Sequence, residues 1–265
     1  MIASVFTSHR LPELSPFLML DYAGPARFEP SGRPRGVEEH PHRGFETVSI
    51  AYAGSVDHRD SAGNSGAIHA GDVQWMTAGS GVVHEEMHGK DFTAEGGDFE
   101  MVQLWVNLPA AYKNVKPHYQ TLLSAEIPRV ELGTGVYARV IAGELGGRRG
   151  PAKTFTPINV LDVRLQAGAD GSLKLPAGHH AAIVLLRGDL VVNGKRIQGE
   201  AQLAALSGDG EGVHLTANEP SLVLVLSGEP INEPVVSYGP FVMNTEAEIQ
   251  QAIEDYKAGR MGRVA

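Results

Sequence analysis

Short apolar segments, separated by residues that favour turns, run through most of this sequence and strongly limit its fold. The segments are rich in Val, Ile and Leu, and 32 Gly and 16 Pro in 265 residues supply frequent breaks. Short strands at regular spacing are typical of a β-sandwich or β-barrel, so we predict an all-β fold. The predicted strands are residues 46–52, 73–77, 82–87, 101–107, 159–165, 181–187, 202–206, 213–216 and 222–227.

One helix is predicted, close to the C-terminus. Thr245 and Glu248 have the spacing of a capping box, in which each side chain bonds the backbone N–H of the other residue. Ile249 and Ile253 then follow on one helical face, and Gly259 can end the helix.

A weak internal repeat predicts two domains. Gly54 and the strand that opens at Gly71 have counterparts in Gly188 and the strand that opens at Gly199. Each half also closes with an apolar strand that runs into proline. Two copies of one β-unit, joined through the glycine-rich stretch 133–150, explain this pattern. We therefore predict an N-terminal domain of residues 1–133 and a C-terminal domain of residues 134–265.

The composition excludes several classes of function. Cysteine is absent, which excludes disulfides and thiolate sites and is typical of a cytosolic protein. The formal net charge of −9 argues against binding to nucleic acid or anionic membranes. The apolar runs are also far shorter than a membrane span. We expect a cytoplasmic monomer that binds neither nucleic acid nor membranes.

Two histidine motifs predict a metal site. His40 and His42 are two residues apart, and so are His84 and Glu86. Residues two apart on a strand point to the same face, about 7 Å apart. Either pair alone is common and carries little weight. Together, on neighbouring strands of a small barrel, they would bring three imidazoles and one carboxylate to one ion.

This set of ligands favours particular metals. Three neutral imidazoles and one carboxylate suit a first-row transition metal better than Ca or Mg. We expect one divalent ion per chain, with Fe(II) as first choice and Ni, Co, Mn, Cu or Zn as alternatives. Four protein ligands in octahedral geometry leave two positions open, which is a catalytic arrangement. The second half has no comparable pair of motifs, so we expect no metal there, and no organic cofactor motif is present.

The same residues resemble a known family. Residues 40–49, HPHRGFETVS, and residues 71–87, GDVQWMTAGSGVVHEEM, resemble the two metal-binding motifs of the pirins. Residues 60–64, DSAGN, and 238–245, YGPFVMNT, are also similar to that family. The resemblance covers nearly the whole chain and implies a bicupin, with two jelly-roll cupin barrels and a C-terminal helix. It places one metal in the first barrel, on His40, His42, His84 and Glu86.

The resemblance also implies an activity. Pirins of the quercetinase type use dioxygen to open the central ring of a flavonol, giving a depside and carbon monoxide. Glu86, beside the metal, would then be the catalytic base that accepts the flavonol proton. A second hypothesis is a metal-dependent or redox-sensing regulator that acts through a protein partner without turnover. A third, lesser one is a lyase or isomerase, since cupins host many reactions.

The remaining acidic and histidine candidates carry less weight. Glu46 follows His42 by four residues. It is either a residue that supports the metal ligands without binding the metal or simply the first residue of a strand. His58, His69, His88 and His118 are expected to be solvated.

Overall fold

The computed structural model describes residues 2–210 and 212–264, and β-strands make up most of them. The strands of the first half are β1 (Ile2–Thr7), β2 (Phe17–Phe28), β3 (Gly36–His42), β4 (Phe45–Ala53), β5 (Ser55–Asp60), β6 (Ser65–His69), β7 (Val73–Thr77), β8 (Val82–His88), β9 (Gly97–Asn107) and β10 (His118–Leu122). Those of the second half are β11 (Arg129–Gly133), β12 (Val136–Ala142), β13 (Glu144–Leu145), β14 (Arg148–Arg149), β15 (Ile158–Leu165), β16 (Asp170–Lys174), β17 (His180–Val192), β18 (Lys195–Leu206), β19 (Gly212–Ala217), β20 (Ser221–Gly228), β21 (Val236–Tyr238) and β22 (Phe241–Met243). The α-helices are α1 (Lys90–Glu95) and α2 (Glu246–Lys257), and short 3-10 turns lie at Pro12–Leu14, Ala110–Tyr112 and Ser124–Glu126.

The predicted all-β fold is confirmed, and each of the nine predicted segments lies within an observed strand. The predicted helix is α2, and its capping box is present between Thr245 and Glu248. The sequence did not predict α1, because this helix has six residues and buries none of them, so it lacks an apolar period. No helix in the described part of the chain has the length and apolar character of a membrane span.

The chain divides into two compact units, and each joins segments that are distant in sequence. The first contains residues 23–124 together with residues 231–264, and the second contains residues 3–22 together with residues 125–230. The segment after residue 230, including α2, therefore packs with the first unit. The division of the sequence into domains of residues 1–133 and 134–265 stays a prediction.

The first unit is built on two sheets. One contains β9, β4, β7 and β10 in that order, and the other has the order β3-β8-β5-β6. Strands β3 to β10 lie wholly within this unit. Side chains from the two sheets meet where Ser49 of β4 contacts Glu86 of β8, so these faces line the interior.

The second unit contains an eight-stranded sheet with an apolar interior. Its strand order is β11-β12-β15-β20-β17-β19-β16, with β18 also paired to β17. Aliphatic side chains from these strands form one buried cluster, with Val163, Ile183 and Val225 all fully buried. The glycine-rich stretch predicted to be a linker instead contains a tight hairpin. Strands β13 and β14 pair across Gly146 and Gly147, whose positive φ angles of 55° and 74° favour glycine.

Candidate metal centre

The two histidine motifs lie on neighbouring strands, as the sequence predicted. Strand β3 pairs antiparallel with β8, and His40 lies directly opposite His84. A register shift between Val37 and His40 marks a bulge in β3 just before the motif. Bulges increase local twist and redirect side chains, so this one helps to aim His40 towards β8.

Three imidazoles come together at this point. The ring centroids of His40 and His84 are 4.4 Å apart, those of His40 and His42 are 4.7 Å apart, and those of His42 and His84 are 5.0 Å apart. One ring nitrogen from each residue lies within 4.8 Å of the other two. Within residues 2–210 and 212–264, this is the one group of three or more His, Cys, Asp or Glu side chains that meets this distance.

The hydrogen bonds of these rings fit a bound metal. His84 is fully buried, and neither of its ring nitrogens has a hydrogen-bond partner; Nδ1 of His42, also buried, has none. Buried polar atoms without partners are costly, and coordination to an ion would satisfy one nitrogen on each ring. Nδ1 of His40 donates to the carbonyl oxygen of Glu38 at 2.7 Å, which leaves Nε2 with its lone pair free to bind.

Burial also keeps the histidines in the form that binds metal. Desolvation lowers the pKa of His42 to about 3, and the neighbouring His40 adds to this effect. The pKa of His84 lies well below its ordinary value, again because of burial first and of the nearby histidines second. Both imidazoles are therefore neutral at physiological pH, as a metal ligand must be.

Glu86 lies beside the three histidines but contacts other side chains. Ser49 Oγ donates to Glu86 Oε1 at 2.8 Å, and Gln103 Nε2 donates to Oε2 at 3.3 Å. The Ser49 hydroxyl also lies 2.6 Å from Gln103 Oε1, so the three side chains form one network. Burial raises the pKa of Glu86, and the Ser49 hydrogen bond acts in the opposite direction. Its role as the fourth ligand stays a prediction.

Three side chains near the site were not predicted from the sequence. Ser49 and Gln103 lie opposite each other on β4 and β9, and both reach Glu86. The ring of Trp105, two residues beyond Gln103, lies 5.3 Å from that of His42 and 4.4 Å from that of Phe45. The available signal was strand alternation, since Gln103 and Trp105 alternate with aliphatic residues along β9, and Ser49 lies between Val48 and Ile50 on β4.

Glu46 faces away from the histidines. It lies three residues before Ser49 on β4, and an odd spacing on a strand places side chains on opposite faces. Its side chain is buried, and Oε1 accepts a hydrogen bond of 2.7 Å from Thr77 Oγ1. Of the two alternatives that the sequence left open, the structure favours a strand residue over a group that supports the ligands.

Glu46 makes the stability of the metal-free chain depend on pH. Burial raises its pKa from 4.5 to about 7, so the folded state holds this proton more tightly than the unfolded state. We expect on the order of 3 kcal/mol of unfolding free energy, present below pH 4.5, to be lost as the pH rises through 7. Urea unfolding of wild type and Glu46→Gln at pH 4.5 and pH 8 tests this. Equal pH dependence in the two proteins would show that Glu46 does not contribute.

Two further histidines are less exposed than expected, since His58 is buried and His88 is half-buried. His58 is buried, lies opposite Glu86 across β5 and β8, and stacks on Tyr119 with ring centroids 4.9 Å apart. His88 stacks on Phe99 at 4.5 Å. The reason is again alternation, because His84, Glu86 and His88 share one face of β8. His69 and His118 are exposed, as expected.

Comparison with known proteins identifies the family. Residues 2–106 match the family described as Pirin, and residues 160–262 match the pirin C-terminal cupin domain. This chain belongs to the pirin family. The bicupin fold implied by the motifs is thereby confirmed for this pirin.

Several relatives are similar over almost the whole chain. A Pseudomonas aeruginosa protein, provisionally named quercetin 2,3-dioxygenase, is 54% identical over 99% of this pirin and 92% of its own length. Human Pirin is 41% identical over 95% of this chain and 84% of its own. A crystal structure of quercetin 2,3-dioxygenase from Acinetobacter baumannii is 49% identical, with a TM-score of 0.97 over all of this pirin and 92% of that chain.

Proposed function

We propose that this pirin is a metal-dependent dioxygenase of the quercetin 2,3-dioxygenase type. It would convert a flavonol and dioxygen into a depside and carbon monoxide. The observation that carries the proposal is the group of His40, His42 and His84 with Glu86 beside it. The names of the Pseudomonas and Acinetobacter relatives support the same class of reaction.

The three histidines would hold the ion, with Glu86 as the proposed fourth ligand. A divalent first-row metal bound there supplies Lewis acidity, which lowers the pKa of a coordinated hydroxyl. Because the imidazoles are neutral and Glu86 is the one anionic ligand proposed, the bound ion would keep a net charge of about +1. Fe(II) remains our first choice, with Ni, Co, Mn, Cu and Zn as alternatives, because one nitrogen and oxygen ligand set serves several ions.

Glu86 is the proposed acceptor of the flavonol 3-hydroxyl proton. Its carboxylate is held on two sides, by Ser49 from β4 and Gln103 from β9, so its orientation is fixed before a substrate enters. Burial raises its pKa, which brings a carboxylate closer to the range where a general base works well near neutral pH. The deprotonated flavonol has the higher electron density that reaction with dioxygen requires.

An aromatic wall beside the site suits a flat substrate. Trp105 packs edge-on against His42 and lies tilted over Phe45, so two aromatic rings adjoin one ligand. Flavonols are planar and aromatic, and such rings pack well against a Trp side chain like the half-buried Trp105, which the fully buried Phe45 supports from behind. We propose that this wall orients the substrate.

The test is turnover of quercetin by metal-free protein, purified without an affinity tag and reconstituted with each of the six ions in turn. We expect quercetin to disappear in air with at least one ion, and to persist without metal or without dioxygen. A chain that binds the metal but consumes no flavonol with any ion would contradict the enzymatic proposal. That result would favour the regulatory alternative, in which the metal serves a protein partner.

A further inference from the structure

The C-terminal segment folds back onto the residues that follow His42. The Val242 N–H donates to the carbonyl oxygen of Arg43 at 3.0 Å, and the Arg43 N–H donates to that of Pro240 at 3.4 Å. These bonds form a short parallel bridge between Arg43 and Phe241. The backbone directly after a proposed ligand is thus held by residues about 200 positions further along the chain.

A charged pair strengthens this attachment. Arg43 Nη1 lies 2.5 Å from Asp255 Oδ2 on α2, and the two side chains are only 13% and 17% exposed. Arg43, through its hydrogen bond, is the main cause that lowers the pKa of Asp255 to about 2. The pair is therefore ionised at neutral pH, and its partial burial makes it more specific in geometry than a surface ion pair.

A buried lysine ties the same two segments together. Lys113 is 1% exposed, and its Nζ donates to the carbonyl oxygens of Gly44 at 2.8 Å and Val242 at 3.0 Å. A third bond goes to Asn107 Oδ1 at 2.8 Å. Gly44 has a φ of 87°, and a Cβ there would lie 2.0 Å from the Val242 oxygen, so only glycine allows this approach.

The second ligand strand is packed against the same segment. Val83, next to His84 in sequence, belongs to a buried cluster with Phe241, Ala252 and Met261. The C-terminal segment therefore contacts the residues adjacent to both His42 and His84.

We propose that residues 240–264 form a C-terminal clamp that positions His42 for the metal, through the Arg43–Asp255 pair and through Lys113. Arg43, Asp255 and Lys113 are positioning residues. The proposal rests on metal binding by the three histidines. Removal of groups that orient a ligand typically weakens metal affinity by about 10- to 100-fold, and we expect about tenfold because the clamp acts through the backbone.

The experiment is a titration of the metal-free chain with Co(II), followed by its visible absorption and well below the unfolding temperature of each variant. Asp255→Asn removes the charge of the pair, and Asp255→Glu restores it. Lys113→Met removes the buried ammonium group at similar length. Asp98→Asn is the matched control, since Asp98 pairs with Arg27 on the surface of the same unit, with both side chains about 70% exposed.

We expect Asp255→Asn and Lys113→Met to weaken Co(II) binding about tenfold and to change the absorption bands of the bound ion. Asp255→Glu should recover most of the affinity, and Asp98→Asn should match wild type. If wild type binds Co(II) and both clamp variants bind it equally well, with unchanged spectra, the clamp proposal is wrong while the proposed function stands. If wild type binds no Co(II), Fe(II) or other first-row ion, both proposals fail.

Discussion

Glu86→Gln is expected to lower quercetin turnover by about a hundredfold or more at saturating metal, with the metal still bound. Glutamine keeps the shape of the side chain and can still accept the Ser49 hydrogen bond. It removes the negative charge and nearly all of the basicity, and loss of a positioned base typically costs about 10²- to 10⁴-fold in rate. Metal affinity should weaken but survive, since the three histidines remain.

Glu46→Gln is the matched control for this substitution. Glu46 is also a buried carboxyl of the first unit, but it bonds Thr77 on the opposite face of β4. We expect its replacement to lower turnover by roughly tenfold at most. Mutation of a residue that supports metal ligands without binding the metal typically costs about 10- to 100-fold in activity, and Glu46 should lie at the low end of that range. Quercetin loss and dioxygen uptake, followed together at saturating metal, give the comparison. Equal losses in the two variants, or full activity in Glu86→Gln, would show that Glu86 is not the base.

His84→Ala is expected to lose nearly all of its affinity for the metal. His84 is fully buried beside the other two histidines, and both of its ring nitrogens lack hydrogen-bond partners. Two imidazoles would remain, one of them on the more exposed His40. We expect the affinity to fall by at least two orders of magnitude, more than removal of a group outside the ligand set usually costs.

The fold of this variant should survive, which separates loss of ligation from loss of structure. Removal of the buried His84 ring lowers the free energy of unfolding through lost packing. It also removes two buried polar atoms without hydrogen bonds, which raises the free energy of unfolding, so the two effects oppose each other. Circular dichroism of metal-free wild type and His84→Ala should therefore agree. His58→Ala is the control, since His58 is equally a buried imidazole on the neighbouring strand. A His58→Ala chain that loses metal as completely as His84→Ala would contradict the assignment of ligands.

The sequence predicted those parts of the site that depend on local spacing. The two-residue steps of His40 and His42, and of His84 and Glu86, correctly placed each pair on one face of a strand, because a strand has a period of two. The capping box at Thr245 likewise follows from local geometry. The same alternation applies to His58 on β5 and to His88 at the end of β8. Both were expected to be solvated because the sequence analysis did not predict β5 and ended β8 one residue before His88.

What the sequence did not predict depends on contacts between distant segments. Ser49 and Gln103 reach Glu86 only because β4 and β9 pair in one register and the two sheets face each other. The return of residues 231–264 to the first unit has no local signal, since Asp255 lies 212 positions after Arg43. Such contacts depend on the packing of the whole unit.

Carbon monoxide and quercetin, measured together in one sealed vessel containing the metal-reconstituted chain and air, show whether the three-histidine site carries out this reaction. We predict one carbon monoxide for each quercetin consumed, and none from His84→Ala under the same conditions. Quercetin that disappears without carbon monoxide, or at the same rate in the two proteins, would contradict the assignment of this chemistry to the three-histidine site.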